Sequence, residues 1–329
     1  MTSTPSPYAS IPDYIFGVTK EIWEDRRIDS LTQYYGPEIV VRSPASVVVG
    51  NRDVIAATLA TLHEFPDRQL FGEDVIWCDA PNGHALSSHR LLSTATHTQA
   101  GVYGAPTGAR LAYRIIADCH VADGQINDEW LVRDQGAIVR QLGLEPRDFA
   151  RDLIAKEGGP EACVQPYTLA TEVAGPYQGQ GNDNSWGQRY AEILTRMMNA
   201  EFSVIPETYD RGAALSYPGG VEGVSFADAD RFWLGLRASF PSATFTIHHM
   251  IGRDDQMMPP RAALRWSLVG RHDGWGTFGA PTGADVFVMG LSHAEFGSLT
   301  SGAPKLRREW TLFDETAVWK QILLSTGDL

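Results

Sequence analysis

The segment GVYGAPTGAR, starting at Gly101, returns as GTFGAPTGAD at Gly276. Sliding the chain along itself by the 175 positions between them brings much else into line: Phe65-Pro66 onto Phe240-Pro241, Arg90 onto Arg265, His97 onto His272. A shift of 174 pairs Tyr35 with Tyr209 and Pro44 with Pro218. A shift of 180 lays EWLVRDQGAIVRQ, from Glu129, over EWTLFDETAVWKQ, from Glu309, with Glu, Trp, Asp and Gln at the same spacing. The extra residues fall in the Gly-, Ser- and Pro-containing stretch from Gly297 to Pro304, which reads as a longer hairpin loop. The chain is therefore two copies of one domain, each about 140 residues, and not a solenoid of short units. The expected division is a first domain over 1–157, a linker over 158–184 and a second domain over 185–329.

With 43% hydrophobic residues the chain can fill two cores, and no apolar run approaches a membrane span. The start, MTSTPSPYAS, does not read as a signal peptide. Cys78, Cys119 and Cys163 are too scattered for a disulfide framework or a zinc site, and the expectation is a cytoplasmic protein with reduced thiols. A net charge of −13 argues against a nucleic-acid partner. No basic amphipathic helix offers itself to an anionic membrane.

Within each copy helical periodicity comes first. Ile15, Val18, Ile22 and Trp23 share a face, as do Tyr190, Ile193, Leu194 and Met197. A second helix follows Asn51, through Val54, Ile55, Ala57, Leu59 and Leu62, and breaks at Phe65-Pro66. Then come strand patterns: DVIWCD, HALSSHRLLSTATH, RLAYRIIADCHVAD and QINDEWLVRD, with a tight hairpin at ADGQ. GAPTG reads as a turn, with Pro setting φ and Gly accepting positive φ. The segment between the copies, Gly- and Pro-rich with few charges, reads as a linker that runs along both domains. Each copy is α+β, with helices ahead of an antiparallel meander.

Each half resembles a SnoaL-like polyketide cyclase domain, within the broader NTF2-like and ketosteroid-isomerase-like fold. The residues that carry the resemblance are RLLSTATHTQAGVYGAPTG, HVADGQINDEW and DQGAIVRQLG in the first half, and RWSLVGRHDGWGTFGAPTG and EWTLFDETAVWKQ in the second. The resemblance implies two tandem cone-shaped domains, each with N-terminal helices packed in a curved antiparallel sheet around a pocket. It does not fix the activity, because this fold hosts many chemistries.

Strand parity groups Ala112, Arg114, Ile116, Asp118 and His120 on one face, and Trp130, Val132 and Asp134 on one face of the next strand. If that face lines the cone, His120 or Asp118 beside Asp134 makes an acid/base pair. The resemblance points to the same residues: the cyclases' acid/base aspartate falls on Asp134 and its partner histidine on His120. It implies a cofactor-independent intramolecular aldol or enolisation reaction on a hydrophobic, carbonyl-containing small molecule. Asp134 equally suits the N-cap of the helix that follows it, and His120 an ordinary strand-end histidine. Trp130, Arg114, Arg90, Trp310 and Tyr35 are the candidate substrate-binding residues. In the second copy Asp314 repeats Asp134, while His293 and Glu295 stand where the first copy has Asp118 and His120. Arg42 and Ser216 occupy positions where cyclases often carry His.

No metal is expected: His248 and His249, beside Asp254 and Asp255, face opposite sides of a strand and do not chelate together. Nucleophilic-serine, phosphate-loop, dinucleotide and zinc fingerprints are missing. The alternatives to a cyclase are a non-catalytic pair of ligand-binding domains and a dehydratase or epoxide hydrolase on the same fold. Covalent duplication is expected to supply internally the sheet-to-sheet pairing of a dimer, with further self-association left open.

Overall fold

A computed structural model of the chain describes residues 7–298 and 302–329, so the first six residues and part of the expected long hairpin loop lie outside it. The first domain begins with α1 (Ile11–Trp23). Ser10 caps this helix, its Oγ accepting from the Asp13 amide at 3.2 Å, and Ile11, Tyr14, Ile15, Val18 and Ile22 form the buried stripe. There follow α2 (Leu31–Tyr34), β1 (Tyr35–Ser43), β2 (Ser46–Val49), α3 (Asn51–Glu64), β3 (Gln69–Asp79), β4 (Ala85–Thr96), β5 (Arg110–Ala122), β6 (Gln125–Arg133), α4 (Gln135–Gln141) and α5 (Pro146–Lys156). The second domain repeats the plan: α6 (Ser185–Met198), α7 (Val204–Thr208), β7 (Tyr209–Tyr217), β8 (Val221–Gly223), α8 (Phe226–Ser239), β9 (Thr244–Arg253), β10 (Arg261–Arg271), β11 (Asp285–Gly297), β12 (Lys305–Leu312) and α9 (Glu315–Thr326).

Each domain has one six-stranded sheet, ordered β2-β1-β6-β5-β4-β3 and β8-β7-β12-β11-β10-β9. All neighbours are antiparallel except β1 with β6 and β7 with β12. The ADGQ hairpin turns at Asp123 and Gly124, with φ of 52° and 82°. The repeated GAPTG closes the β4–β5 and β10–β11 connections. Its Thr hydroxyl meets the preceding histidine ring in both copies, Thr107 with His97 at 3.2 Å and Thr282 with His272 at 3.1 Å. The motif is a stapled turn.

One face of each sheet wraps its own helices. In the first domain α1 packs with Val75, Cys119, Val121 and Ile126, while Leu91, Tyr113 and Ile115 pack with Phe65, Ile138 and Phe149. The other faces meet each other. Ile116, Trp130 and Val132 join Phe287, Met289, Leu291 and Leu312 in one apolar cluster. Arg90 stacks on Trp310 at 3.5 Å and Arg265 on Trp130 at 3.8 Å, so each domain puts an arginine on the other's tryptophan. The duplication thus forms a pseudo-twofold pair sealed through its sheets.

The segment between the domains is ordered along both. The Tyr167 amide donates to the Pro44 carbonyl at 3.0 Å. Arg42, fully buried, pairs with Asp128 and with Glu172 and donates to the Val173 carbonyl. Gly181 bridges to Met250 on β9. Arg42, where the resembling cyclases often carry His, therefore anchors the linker. The three cysteines are buried and free. Among the described residues no helix is long and apolar enough to cross a membrane, and no cluster of three metal-ligating side chains occurs.

Candidate functional site

The cone of the first domain is hollow. A cavity of about 260 Å³ lies between α1, α3, β1 and β6, walled by Trp23, Val41, Val54 and Leu131 and reaching Tyr35, Thr58, Glu129, Arg133 and Asp314. The corresponding space in the second domain is filled. Ser43, Ala57, Thr58 and Arg133 are matched there by Tyr217, Phe232, Trp233 and Phe313. Tyr217 and Phe232 stack with ring centroids 3.8 Å apart, and Phe313 stacks beyond them.

Glu129 and its counterpart Glu309 show what this does to a carboxyl group. Glu309 is sealed and accepts from Tyr190 at 2.8 Å, Tyr209 at 2.8 Å, Tyr217 at 2.6 Å and the Trp233 indole at 3.3 Å. Glu129 keeps one of these partners, Tyr35, the equivalent of Tyr209, and otherwise borders the cavity. Burial pushes its pKa up to about 7, and the Tyr35 hydrogen bond only partly opposes the rise. The Tyr35 phenol is pushed well above its ordinary range, chiefly by burial and then by the Glu129 charge.

Asp134 and Asp314 form a second unequal pair. Both cap the helix that follows. Asp134 is also clamped by the opposite domain: Oδ1 accepts from the Gly219 amide at 2.8 Å and the Ala137 amide at 3.0 Å, and Oδ2 from the Gly220 amide at 2.9 Å. In Asp314, Oδ1 takes the Thr316 and Ala317 amides and the Thr316 hydroxyl. Its Oδ2 has no protein donor among the described residues, and the side chain borders the first domain's cavity. Burial raises the pKa of each to about 6 against the hydrogen bonds that lower it.

The strand period of two holds, but the face expected to line the cone faces the other domain. Asp118 is fully buried with Oδ2 2.6 Å from His249 Nε2 and 3.8 Å from Arg265. His293 bonds Ser88 at 2.8 Å and Arg90 at 3.1 Å. Trp130, Trp310 and Arg90 belong to the stacked interface described above. Arg114 reaches across to Ser216 at 2.8 Å and Glu222 at 2.6 Å. Glu295 is half-buried beside Arg308 at 3.6 Å. His120 lies apart, in an open groove beside His84 and Tyr177, and Asp134 borders a small interdomain cleft. Of the sequence-derived candidates, only Tyr35 and Asp314 reach the cone's cavity. Glu129, Arg133 and Thr58 were not among those candidates; comparing the two copies column by column singles out Thr58, against Trp233, and Arg133, against Phe313, while Glu129 is shared with Glu309.

Helices packed against a six-stranded sheet, with a buried carboxyl group beside a cavity, make an NTF2-like α+β domain. Residues 15–142 match the family of SnoaL-like polyketide cyclases. The match lies within the first domain, and the second domain repeats the same order of strands. Similar solved structures include a SnoaL-like polyketide cyclase from Agrobacterium tumefaciens, with 18% identity over 41% of this chain and 98% of that one and a TM-score of 0.34. TsrD from Streptomyces laurentii has 18% identity over 41% and 96%, TM-score 0.36. IdmH from Streptomyces antibioticus has 20% over 40% and 98%, TM-score 0.36. No curated protein matches the chain.

Proposed function

We propose that the first domain is a cofactor-independent acid/base catalyst of the polyketide cyclase type, acting on a carbonyl-containing small molecule in the Glu129 cavity. The observation that carries this reading is that Glu129 borders a cavity in the first cone, where the sister domain seals the same residue under four donors; burial pushes its pKa up to about 7. Glu129, held by the Tyr35 hydroxyl and protonated below about pH 7, donates its own proton in a hydrogen bond to the substrate carbonyl and stabilises the enolate oxygen. Asp314, ionised once the pH exceeds about 6, is the base that takes the proton α to that carbonyl. The carbanion attacks a second carbonyl of the same molecule, one carbon–carbon bond forms, and the abstracted proton returns to the new alkoxide. Neither carboxyl group is consumed.

The test is α-proton exchange with solvent deuterium, followed by NMR on aromatic β-diketones. Glu129→Gln and Asp314→Asn are each expected to slow exchange by about 10²–10⁴ while the protein still binds the ketone. Undiminished exchange in Glu129→Gln removes that residue from the chemistry. Binding without any exchange in the unaltered protein makes this a binding domain instead.

A further inference from the structure

Two arginines at the first cone, Arg68, which is buried, and Arg133, which is half-buried, lack the carboxylate partner that the neighbouring arginines have. Arg42 pairs with Asp128 and Glu172, Arg90 with Glu73, Arg261 with Asp74 and Asp255, and Arg265 with Asp118. Among the described residues neither Arg68 nor Arg133 has a carboxylate within ion-pair distance. Arg68 is fully buried over the Trp23 ring, with its Nε on Ser93 at 3.3 Å and Tyr113 at 3.1 Å and its Nη1 unpartnered. Arg133 borders the cavity itself, and its buried Nε has no partner. The two are close enough to act on one phenol: burial raises the pKa of Tyr113, yet the charges of Arg68 and Arg133 hold it below the ordinary value.

Uncompensated buried cations are costly. Carboxylates are plentiful in this chain, 40 Asp and Glu against 27 Lys and Arg, so their absence here is not scarcity. The sister domain has discarded the whole arrangement: Ala243, Phe313 and Val288 stand at the positions of Arg68, Arg133 and Tyr113. The positive charge has been kept only where there is a cavity.

We infer that the ligand of the first cavity carries a carboxylate, which the Arg133 guanidinium holds through its free N–H edge, with Arg68 behind it. A planar guanidinium edge matches a carboxylate in two parallel hydrogen bonds. Glu129 lies four residues earlier on the same strand face, about 13 Å away along the backbone. The ligand's acid group and its reacting carbonyl therefore sit at opposite ends of the molecule. This inference deepens the cyclase reading and rests on it for the reaction, but not for binding.

The experiment is calorimetric titration of the full chain with 1-naphthoate and with its uncharged methyl ester at neutral pH. The expected result is at least about tenfold tighter binding of the acid, worth about 1.4 kcal/mol. That preference disappears in Arg133→Gln, which still binds the ester, and persists in Arg133→Lys. Equal affinities, a preference for the ester, no binding of the acid at millimolar concentration, or a preference unchanged in a folded Arg133→Gln each overturn the inference. If Arg133→Gln does not fold, Arg68→Lys and Arg68→Ala decide, with a weakened preference expected in the alanine variant alone. Acid selectivity without proton exchange leaves the carboxylate site standing and removes the enzymatic reading; exchange on neutral ketones without acid selectivity does the reverse.

Discussion

Replacing Glu129 by Gln should make the protein more stable at alkaline pH and leave it nearly unchanged in acid. In the folded chain burial lifts the Glu129 pKa from an ordinary 4.5 to about 7. The folded state thus holds the proton more tightly than the unfolded chain does. Below pH 4.5 both states are protonated and no penalty arises. As the pH climbs from 4.5 to 7 the unfolded chain ionises first, and stability falls. Above pH 7 the penalty levels off at about 3 kcal/mol, at 1.36 kcal/mol for each tenfold change in proton affinity. The substituted glutamine has the same shape, can still accept from Tyr35, and never ionises. Urea unfolding of both proteins at pH 4.5 and pH 8.5 isolates the effect, because every other titrating group cancels in the difference. The expected stability difference moves by about 3 kcal/mol in favour of the variant between the two conditions. A difference that stays constant to within about 1 kcal/mol would mean that Glu129 is not desolvated as described, and the acid role proposed for it would fall as well. Lost proton exchange together with gained stability is what a group retained for chemistry predicts.

Thr58→Trp places in the first cone the side chain that Trp233 supplies to the second, so it should abolish ligand binding without loss of stability, read by calorimetry and thermal unfolding; intact binding would show that ligands enter elsewhere. Asp134→Ala forfeits the clamp on Gly219 and Gly220 as well as its cap, and should cost about 2–4 kcal/mol, against about 1 kcal/mol for Asp314→Ala, which loses the cap alone; equal losses in denaturant titrations would contradict the asymmetry. The pKa of His249 is held below 6.5, first by burial and also by Arg265, although Asp118 opposes this. The stability of the neutral ring is present above pH 6.5 and is lost as the pH falls below it. Acidification should therefore loosen the interface, seen as a change in fluorescence from Trp130 and Trp310, and His249→Gln should flatten that change.

The duplication, the order of elements and the capping role of Asp134 were legible in the sequence, because each rests on local spacing. The direction of the cone was not. Period two separates Asp118 and Trp130 from Cys119 and Glu129, but it names the inner face only when one face is polar. On β5 nearly every residue from Ile115 to Ala122 is buried, since one face meets the helices and the other meets the second domain. Alternation was therefore silent; Asp118, Asp134 and His293 make interdomain contacts, and His120 borders an open groove. Glu129 was visible only as the first letter of a motif. The informative signal lay in the differences between the copies, Thr58 against Trp233 and Arg133 against Phe313, rather than in what they share.

The ordered linker has one more consequence. Two identical chains that pair about a twofold axis must change together: a substitution that hollows one cone hollows both, and the destabilisation is doubled. Here the halves are joined, so each position can be altered once. One half can remain a solid aromatic block while the other keeps an open cavity lined by charged side chains. The tether does more than hold two domains near each other, because it releases the pair from symmetry and lets a filled twin stand beside a hollow one.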